Sequence, residues 1–428
     1  MQNVKGTFDY RAGEQKKRNR IRAVLERQFA LYDFEPVETP ILNELSLLAS
    51  KYAGGEEIEK EMYRLSDQGG RSLGLRYDLT VPFAKLIAAA PGLALPYKRY
   101  EIGKVFRDGP VKRGRLREFM QCDADVAGIR GPEAEAELLQ LAEAVFGALG
   151  IDIVVRWNNR RFLGELLGAI GVDEASQPSV MLTLDKLDKI GADGVAAELA
   201  AKRTDASATE RIVRLIRGEP PAFERLADRF ALTETRGTEE VRALSKLLDA
   251  LGLGTISRFD PFLSRGLSFY TGTVYEVFAA DGSYRSSLAG GGRYDAIIGK
   301  LNGREDVQIP AAGISFGLDS ILEVWSGREA EPDLPPVRLI PIGDTLPETL
   351  AAAARFRGAG IPARVEDGAR KLKRTLASAS SGGARFVAFV GETETAGGLI
   401  RLKDMRSGEE RAMPLECALL AVEKAYGR

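Results

Sequence analysis

Apolar side chains at Ile21, Val24, Leu25, Phe29 and Tyr32 recur at the three- and four-residue spacing of a helix that buries one face, which predicts a helix over residues 14–32. The segment FEPVETPIL that follows is extended, because Pro36 and Pro40 exclude helix. From Arg71 to Val126 the apolar positions fall into short alternating runs, RSLGLRYDLT, YKRYEIGKVFR and REFMQCDADVAG, with a helix over Thr80–Ala90 between them. Alternation of that kind predicts an antiparallel sheet with one packed face.

Residues 133–149 predict an alanine-rich helix, and residues 162–250 show helical spacing punctuated by Gly and Pro, the pattern of an inserted or appended helical module centred on 170–250. Strand signals return at Leu267–Phe278. Gly290, Gly291 and Gly292 then lead into a helix from Tyr294, and PAAGISFGLDSILEVW reads as strand, glycine break and helix. Over Ser326–Pro336 the composition shifts to SGREAEPDLPP, a linker. Beyond it VRLIPI, IPARVE and ARFVAFVG alternate with helices through Leu350–Arg357, GARKLKRTLASA and Leu415–Ala425, the order of a small α/β domain. The expected architecture is α+β. An antiparallel sheet core with helices spans residues 1–326 and contains the helical insertion, a linker covers 327–336, and the α/β domain covers 337–428.

With 428 residues, 44 % hydrophobic and 28 % charged, the chain has material for large cores. Its N-terminal segment is polar, and its most apolar stretch, Leu86–Leu95, is short and broken by Pro91, so a cytoplasmic protein without a membrane anchor is expected. A net charge of −1 gives no global attraction to nucleic acid, so an RNA partner would have to be held by local patches. Cys122 and Cys417 are too few for a disulfide framework or a thiolate zinc site, and their apolar neighbours predict core thiols. The chain contains no histidine. That removes imidazole-based triads and proton shuttles and makes a transition-metal site improbable, so no metal held by protein side chains is expected. Arg, Lys, carboxylates and Tyr remain, a set suited to phosphate chemistry, where positioning and charge neutralisation dominate.

Strand alternation over Glu118–Val126 puts Met120, Cys122, Ala124 and Val126 on one face and Gln121, Asp123 and Asp125 on the other. A row of acids is ordinarily a solvated strand face. Here the preceding strand ends at Arg107, and the connection carries Lys112, Arg113, Arg115 and Arg117, which suits a ligand with one anionic and one cationic end. Arg265 stands at a strand entrance close to Tyr270; such an arginine is often an exposed charge, and the aromatic-rich strand beside it favours a site. The triple glycine permits close backbone approach to a ligand or marks a tight turn, and it lacks the spacing of a P-loop or a dinucleotide fold.

In order along the chain, VKGTFDY, FEPVETPIL, LRYDLTVPFAK, KRYEIGKVFRDGPVKRGRLREFMQCDADVAG, SRGLSFYTGTVYE, GGGRYD and the tail segments GARKLKRTLASA and ARFVAFVGE resemble the histidyl-tRNA synthetase family of class II aminoacyl-tRNA synthetases. The resemblance implies a class II catalytic domain and an anticodon-binding domain in a homodimer. It implies ATP-dependent activation of histidine to histidyl-adenylate, with Mg²⁺, and transfer to tRNA(His). It also implies roles. Arg107 matches the arginine on the α-phosphate, Arg115 and Arg117 the arginines for the outer phosphates, and Phe119 the aromatic under adenine. Asp78 and Thr80 match positions near the substrate's amino group, Gln121 and Asp125 substrate-binding positions, and Tyr270 and Tyr294 the side-chain pocket. Arg265 matches an arginine of the histidine site that also acts on the α-phosphate as an electrostatic catalyst. Arg370, Lys371, Lys373 and Arg374 form a basic helix that is the best local RNA patch.

Three positions depart from the family pattern. Gly109 stands where a glutamate is expected, Ser268 follows RGL in place of an acid, and Ser320 follows Asp319 in place of an arginine that contacts ATP. These departures leave a second reading open: a synthetase-like paralogue acting as a histidine or tRNA sensor, or as the regulatory subunit of ATP phosphoribosyltransferase.

Overall fold

The computed structural model describes residues 1–49, 59–218, 222–265, 269–301, 303, 308–325 and 335–427. The chain forms two compact units, Met1–Arg328 and Glu329–Arg428.

An eight-stranded sheet organises the larger unit. In spatial order its strands are Glu35–Pro36, Tyr97–Phe106, Glu118–Ala127, Ala311–Gly317, Ala289–Arg293, Thr273–Ala279, Ile153–Asn159 and Ser257–Phe259. The six inner strands run antiparallel to their neighbours, and each edge strand joins in parallel. One face is covered by helices Ala12–Leu31 and Glu133–Ala148. Ile21, Leu25 and Phe29 of the first, at the spacing read from the sequence, share one core with Cys122, Ala124, Ile314 and Phe316 of the strands. Phe29 lies 5.0 Å from the Tyr100 ring and 5.9 Å from Phe316. Burial of side chains this size stabilises by about 1.5–3 kcal/mol each, so this helix is held by packing rather than by its modest amphipathic polarity.

The other face carries the polar side chains of the strands, most of them buried. Helices Thr80–Ala88 and Ile297–Leu301 cover only one end of it, through a second core of Phe83, Ile87, Phe269, Tyr294 and Ile298. Arg293 anchors the adjoining strand from beneath. Its guanidinium meets Glu135 at 2.7 and 2.5 Å and the carbonyls of Ile129 and Gly131 at 2.9 and 2.7 Å.

Five helices, Gln177–Leu184, Leu187–Ala201, Ala206–Arg217, Phe223–Arg229 and Arg236–Ala250, build the helical region after Arg160–Ile170. Asp205 caps the third, accepting from the Ala208 N–H at 2.8 Å.

The smaller unit is a five-stranded sheet in the order Ala363–Val365, Val337–Ile342, Phe386–Gly391, Leu399–Asp404 and Glu410–Pro414. The first three are parallel and the last two antiparallel. Val337, Leu339, Ala353, Phe356, Ala388 and Val422 form its main core. Among the described residues no helix is long and apolar enough to cross a membrane.

Several sequence expectations are corrected. Ser72–Leu75 leaves the main sheet and pairs with Leu42–Glu44 and Arg64–Ser66 in a small sheet of its own. The triple glycine is neither turn nor helix entry but the interior of a central strand, and the helix after it starts at Ile297. Cys417 is exposed, because helix Leu415–Ala425 buries Ala418, Leu419 and Val422 instead. Arg370 and Lys371 precede the Leu372–Ser381 helix, so only half of the basic patch is helical. The hairpin of the last two strands was not expected from the sequence.

Candidate active site

Because side chains alternate across a strand, register fixes which residues share the polar face. Glu101 pairs with Asp123, Asp123 with Ser315, Ser315 with Gly290, and Gly290 with Glu276. Two residues along, a second row runs Arg99, Asp125, Gly313, Gly292, Val274. The middle of this face therefore has almost no side chains, and the strands themselves floor a trough. A Cβ at Gly313 would come within 1.9 Å of Asp125 Oδ1, and one at Gly290 within 2.2 Å of Arg265 Nη1. Glycine is required here because neighbouring side chains lie flat across the strand.

One end of the trough is an acidic well. The acids do not meet water: Asp123 and Asp125 are each 2 % exposed. Directly opposite Asp125 lies Arg99, fully buried, with Nη2 2.9 Å from Asp125 Oδ2 and donating to the Leu79 carbonyl at 2.8 Å. Its guanidinium stacks 4.5 Å over Phe83. Tyr294 donates its hydroxyl to Asp125 Oδ1. Behind them Glu101 accepts from Arg76 at 2.7 Å and from the Thr39 N–H and hydroxyl at 2.9 Å. Gln121 donates through Nε2 to Ser315 Oγ at 2.7 Å. Its Oε1 and Asp123 Oδ1 are buried acceptors without a hydrogen-bond partner. Unsatisfied acceptors on one strand face fit a ligand that brings N–H donors.

Asp78 accepts from the Val81 N–H at 2.9 Å at the start of helix Thr80–Ala88, so its carboxylate fixes the first turn, of which Thr80 is the opening residue. Burial raises the Asp78 pKa, while the Val81 amide and Arg107 oppose the rise. Burial, and next the charge of Asp125, hold the Asp123 carboxyl well above the usual range. Such a group binds its proton more tightly folded than unfolded. Its contribution to stability is full below about pH 4 and is lost as pH rises through the raised folded value. Asp123→Asn should therefore raise the melting temperature at about pH 8 and lose that advantage at about pH 4, measured by thermal denaturation. An equal difference at both pH values would count against a buried ionising Asp123.

At the other end, Arg265 donates through Nη1 to Glu276 Oε1 at 2.7 Å, with its guanidinium 6.0 Å from the Tyr270 ring centre. Tyr270 is 7 % exposed, packs 4.7 Å from Phe269, and has its phenol pushed up to about 12 by burial. Ser268 lies outside the described residues.

A third cluster sits on the loop after Tyr97–Phe106. Arg107 lies between two rings, 4.3 Å over Tyr77 and 5.0 Å over Phe119. Arg115 pairs with Glu61, and Arg117 with Asp108 at 3.2 Å. Gly109 faces Glu61, whose Oε1 would be 2.8 Å from a Cβ placed there. Phe119 also lines a cavity of 90 Å³ with Gly114, Leu116, Gly317, Ser320 and Glu323. The Ser320 hydroxyl accepts from Tyr284 at 3.3 Å, while Asp319 accepts from Tyr10 and from the Met120 N–H, each at 2.9 Å, and pairs with Arg18.

The fold thus gathers Asp78, Gln121, Asp125, Arg265, Tyr270 and Tyr294 around the trough and groups Arg107, Arg115 and Arg117 on the loop, with Phe119 at the start of the strand that follows it. Arg370, Lys371, Lys373 and Arg374 belong to the smaller unit, where all four are exposed. Sequence reasoning passed over Arg99, Glu101 and Glu276. The signal was the strand register, which sets Arg99 opposite Asp125 and Glu276 opposite Gly290.

An antiparallel sheet with an acidic well beside arginines, followed by residues 336–424 that match the anticodon binding domain model, defines an aminoacyl-tRNA synthetase. Residues 6–321 match the histidyl-tRNA synthetase model, and the chain belongs to that family. Histidine–tRNA ligase 1 of Bacillus thuringiensis subsp. konkukian is 42 % identical over 420 residues, 97 % of this chain and 98 % of that protein. The crystal structure of histidyl-tRNA synthetase from Nostoc sp. PCC 7120 is 26 % identical with a TM-score of 0.76, covering 98 % of this chain and 99 % of that one. A Bacillus halodurans structure described as an ATP phosphoribosyltransferase regulatory subunit/histidyl-tRNA synthetase shares the fold at 21 % identity and a TM-score of 0.73, covering 91 % of this chain and 97 % of that one.

Proposed function

We propose that this chain is a cytoplasmic histidine–tRNA ligase, which makes histidyl-adenylate from histidine and Mg²⁺-bound ATP and passes the histidyl group to tRNA(His). The observation that carries the reading is the acidic well, with buried acceptors on Gln121 and Asp123 and the Asp125–Tyr294 pair, on the same sheet face as Glu276 and its partner Arg265. The imidazole enters the well lined by Gln121, Asp125 and Tyr294 and brings its N–H to this acidic face, while the amino group is held near Asp78 and Thr80. A carboxylate oxygen attacks the α-phosphorus, the bond to the pyrophosphate oxygen breaks, and histidyl-adenylate forms. The terminal ribose hydroxyl of tRNA then attacks the carbonyl carbon and releases its proton, and AMP leaves.

Positive charge at the non-bridging oxygens is the main requirement of the first step, and Arg107 and Arg265 meet it. With Ser320 in place of a cation, Arg115 and Arg117 carry more of the triphosphate charge and exchange Glu61 and Asp108 for phosphate. Mg²⁺ is assigned to the triphosphate as part of the substrate, since this ion is usually held through substrate phosphates.

ATP–pyrophosphate exchange measured with each amino acid tests the reading. Histidine-dependent exchange is expected; tight histidine binding with no exchange for any amino acid would instead support the regulatory-subunit alternative. Arg370, Lys371, Lys373 and Arg374 are proposed to contact tRNA phosphates. Lys371→Glu with Lys373→Glu should weaken tRNA(His) binding at least tenfold, roughly what reversing two phosphate contacts predicts, while sparing exchange. Unchanged tRNA affinity would reject that placement. A homodimer is supported by Leu42 and Leu65 of the small sheet and Ile41 just before it, which stay 42–49 % exposed. Leu42→Glu with Leu65→Glu should yield monomers in sedimentation equilibrium, and a persisting dimer would place the interface elsewhere.

A further inference from the structure

Glu276 is a charged residue of the trough to which the reading above gives no task. Glu276 stands in register with Gly290 on one side and Arg156 on the other. Arg156 turns away to Asp260 at 2.9 Å and Asp188 at 2.7 Å. Glu276 is thereby left to Arg265, and its Oε1 also has Ser287 Oγ at 3.5 Å. The Arg265 and Glu276 side chains are only 20 % and 24 % exposed, so the contact is not a loose surface pair. Gly290 completes the arrangement, because any Cβ there would strike the guanidinium and lie 3.1 Å from the Tyr275 carbonyl.

We propose that Glu276 is a positioning residue, which holds the Arg265 guanidinium flat over Gly290 and aims it along the trough toward the reacting phosphate. The inference rests on Arg265 acting in adenylate formation. Arginine presents a planar fork of donors, so fixing Nη1 on one carboxylate oxygen sets the direction of the remaining N–H groups. Two neighbouring strands and the segment before them in sequence hold the parts of this device, with Glu276 and Gly290 on central strands and Arg265 on that segment.

Displacement of a positioned group by about 1 Å costs about 100-fold in rate. Glu276→Ala should therefore lower kcat for exchange by about 100-fold while the histidine KM moves less than about twofold. Glu276→Gln keeps an acceptor oxygen and should recover most of the loss. Gly290→Ala should reproduce the Glu276→Ala defect from the opposite side of the guanidinium, with the melting temperature as a check on folding. In an Arg265→Ala background, Glu276→Ala should cost nothing further, since its partner is already gone. Wild-type kcat in Glu276→Ala, or an equal loss with and without Arg265, would overturn the proposal. Wild-type enzyme that fails to exchange with histidine would reject the function itself, a result separate from either of these.

Discussion

Arg265→Ala is expected to reduce histidine-dependent exchange by about 10²–10³-fold in kcat, the range for removing one preorganised donor from a developing oxyanion. The loss should fall on kcat rather than on histidine affinity, because Asp125, Gln121 and Tyr294 hold the opposite end of the trough. Stability should change little. The freed Glu276 is 24 % exposed and can hydrate, so the change leaves no buried unpaired charge. Lysine should rescue poorly, since a point charge cannot reproduce the fork that meets Glu276 and a phosphate together. Single-turnover adenylate formation and calorimetric histidine binding would separate the two parameters. Intact kcat with histidine affinity lost in proportion would mean that Arg265 is only a binding residue.

Arg99→Leu should give the largest stability loss in the molecule. Arg99 is fully buried and lies 2.9 Å from Asp125 and 3.5 Å from Glu101, with Asp123 beside them. Removing one partner of a buried ionic cluster costs about 3–5 kcal/mol, because the remaining charges stay desolvated. The sign with pH follows from the carboxyls. Burial already raises the Asp125 pKa, and Arg99 is the largest influence opposing the rise, so its removal raises that pKa further. The variant should be weakest at alkaline pH and recover on acidification, as the raised acids take protons. Denaturant unfolding of the larger unit at acid and alkaline pH checks this; a loss below about 1 kcal/mol at both would show that the acids have another counter-ion. Arg99→Leu with Asp125→Leu should recover part of the loss.

The alternation of REFMQCDADVAG was enough to put Gln121, Asp123 and Asp125 on one face. It could not show that this face is buried, because the covering side chains come from residues far along the chain: Tyr294, Phe83 and Tyr270. Arg99 was hidden for a related reason. In YKRYEIGKVFR it is one charge among several, and only the pairing with Asp125 singles it out. The glycine strand gave no period-two signal because it has no side chains to alternate, so the centre of the sheet read as a turn. Charged residues interleaved through LIRLKD and ERAMP concealed the last hairpin. Asp78, Thr80, Phe119, Tyr270 and Tyr294 were reached through family resemblance. Their own surroundings in sequence would not have distinguished them from ordinary core and surface positions.

The rungs of the trough have a consequence for how the site can vary. Glu101, Asp123, Ser315, Gly290 and Glu276 lie on successive strands of one rung, so its ends are about 19 Å apart at the usual strand spacing. Substitutions at adjacent members should be strongly epistatic even when their positions in the chain are more than a hundred apart. Those at opposite ends should combine additively. The glycines between them act as insulation. A library that reshapes the acidic well for another side chain can therefore be searched without disturbing Arg265 and Glu276, and selectivity is separable from the chemistry that it serves.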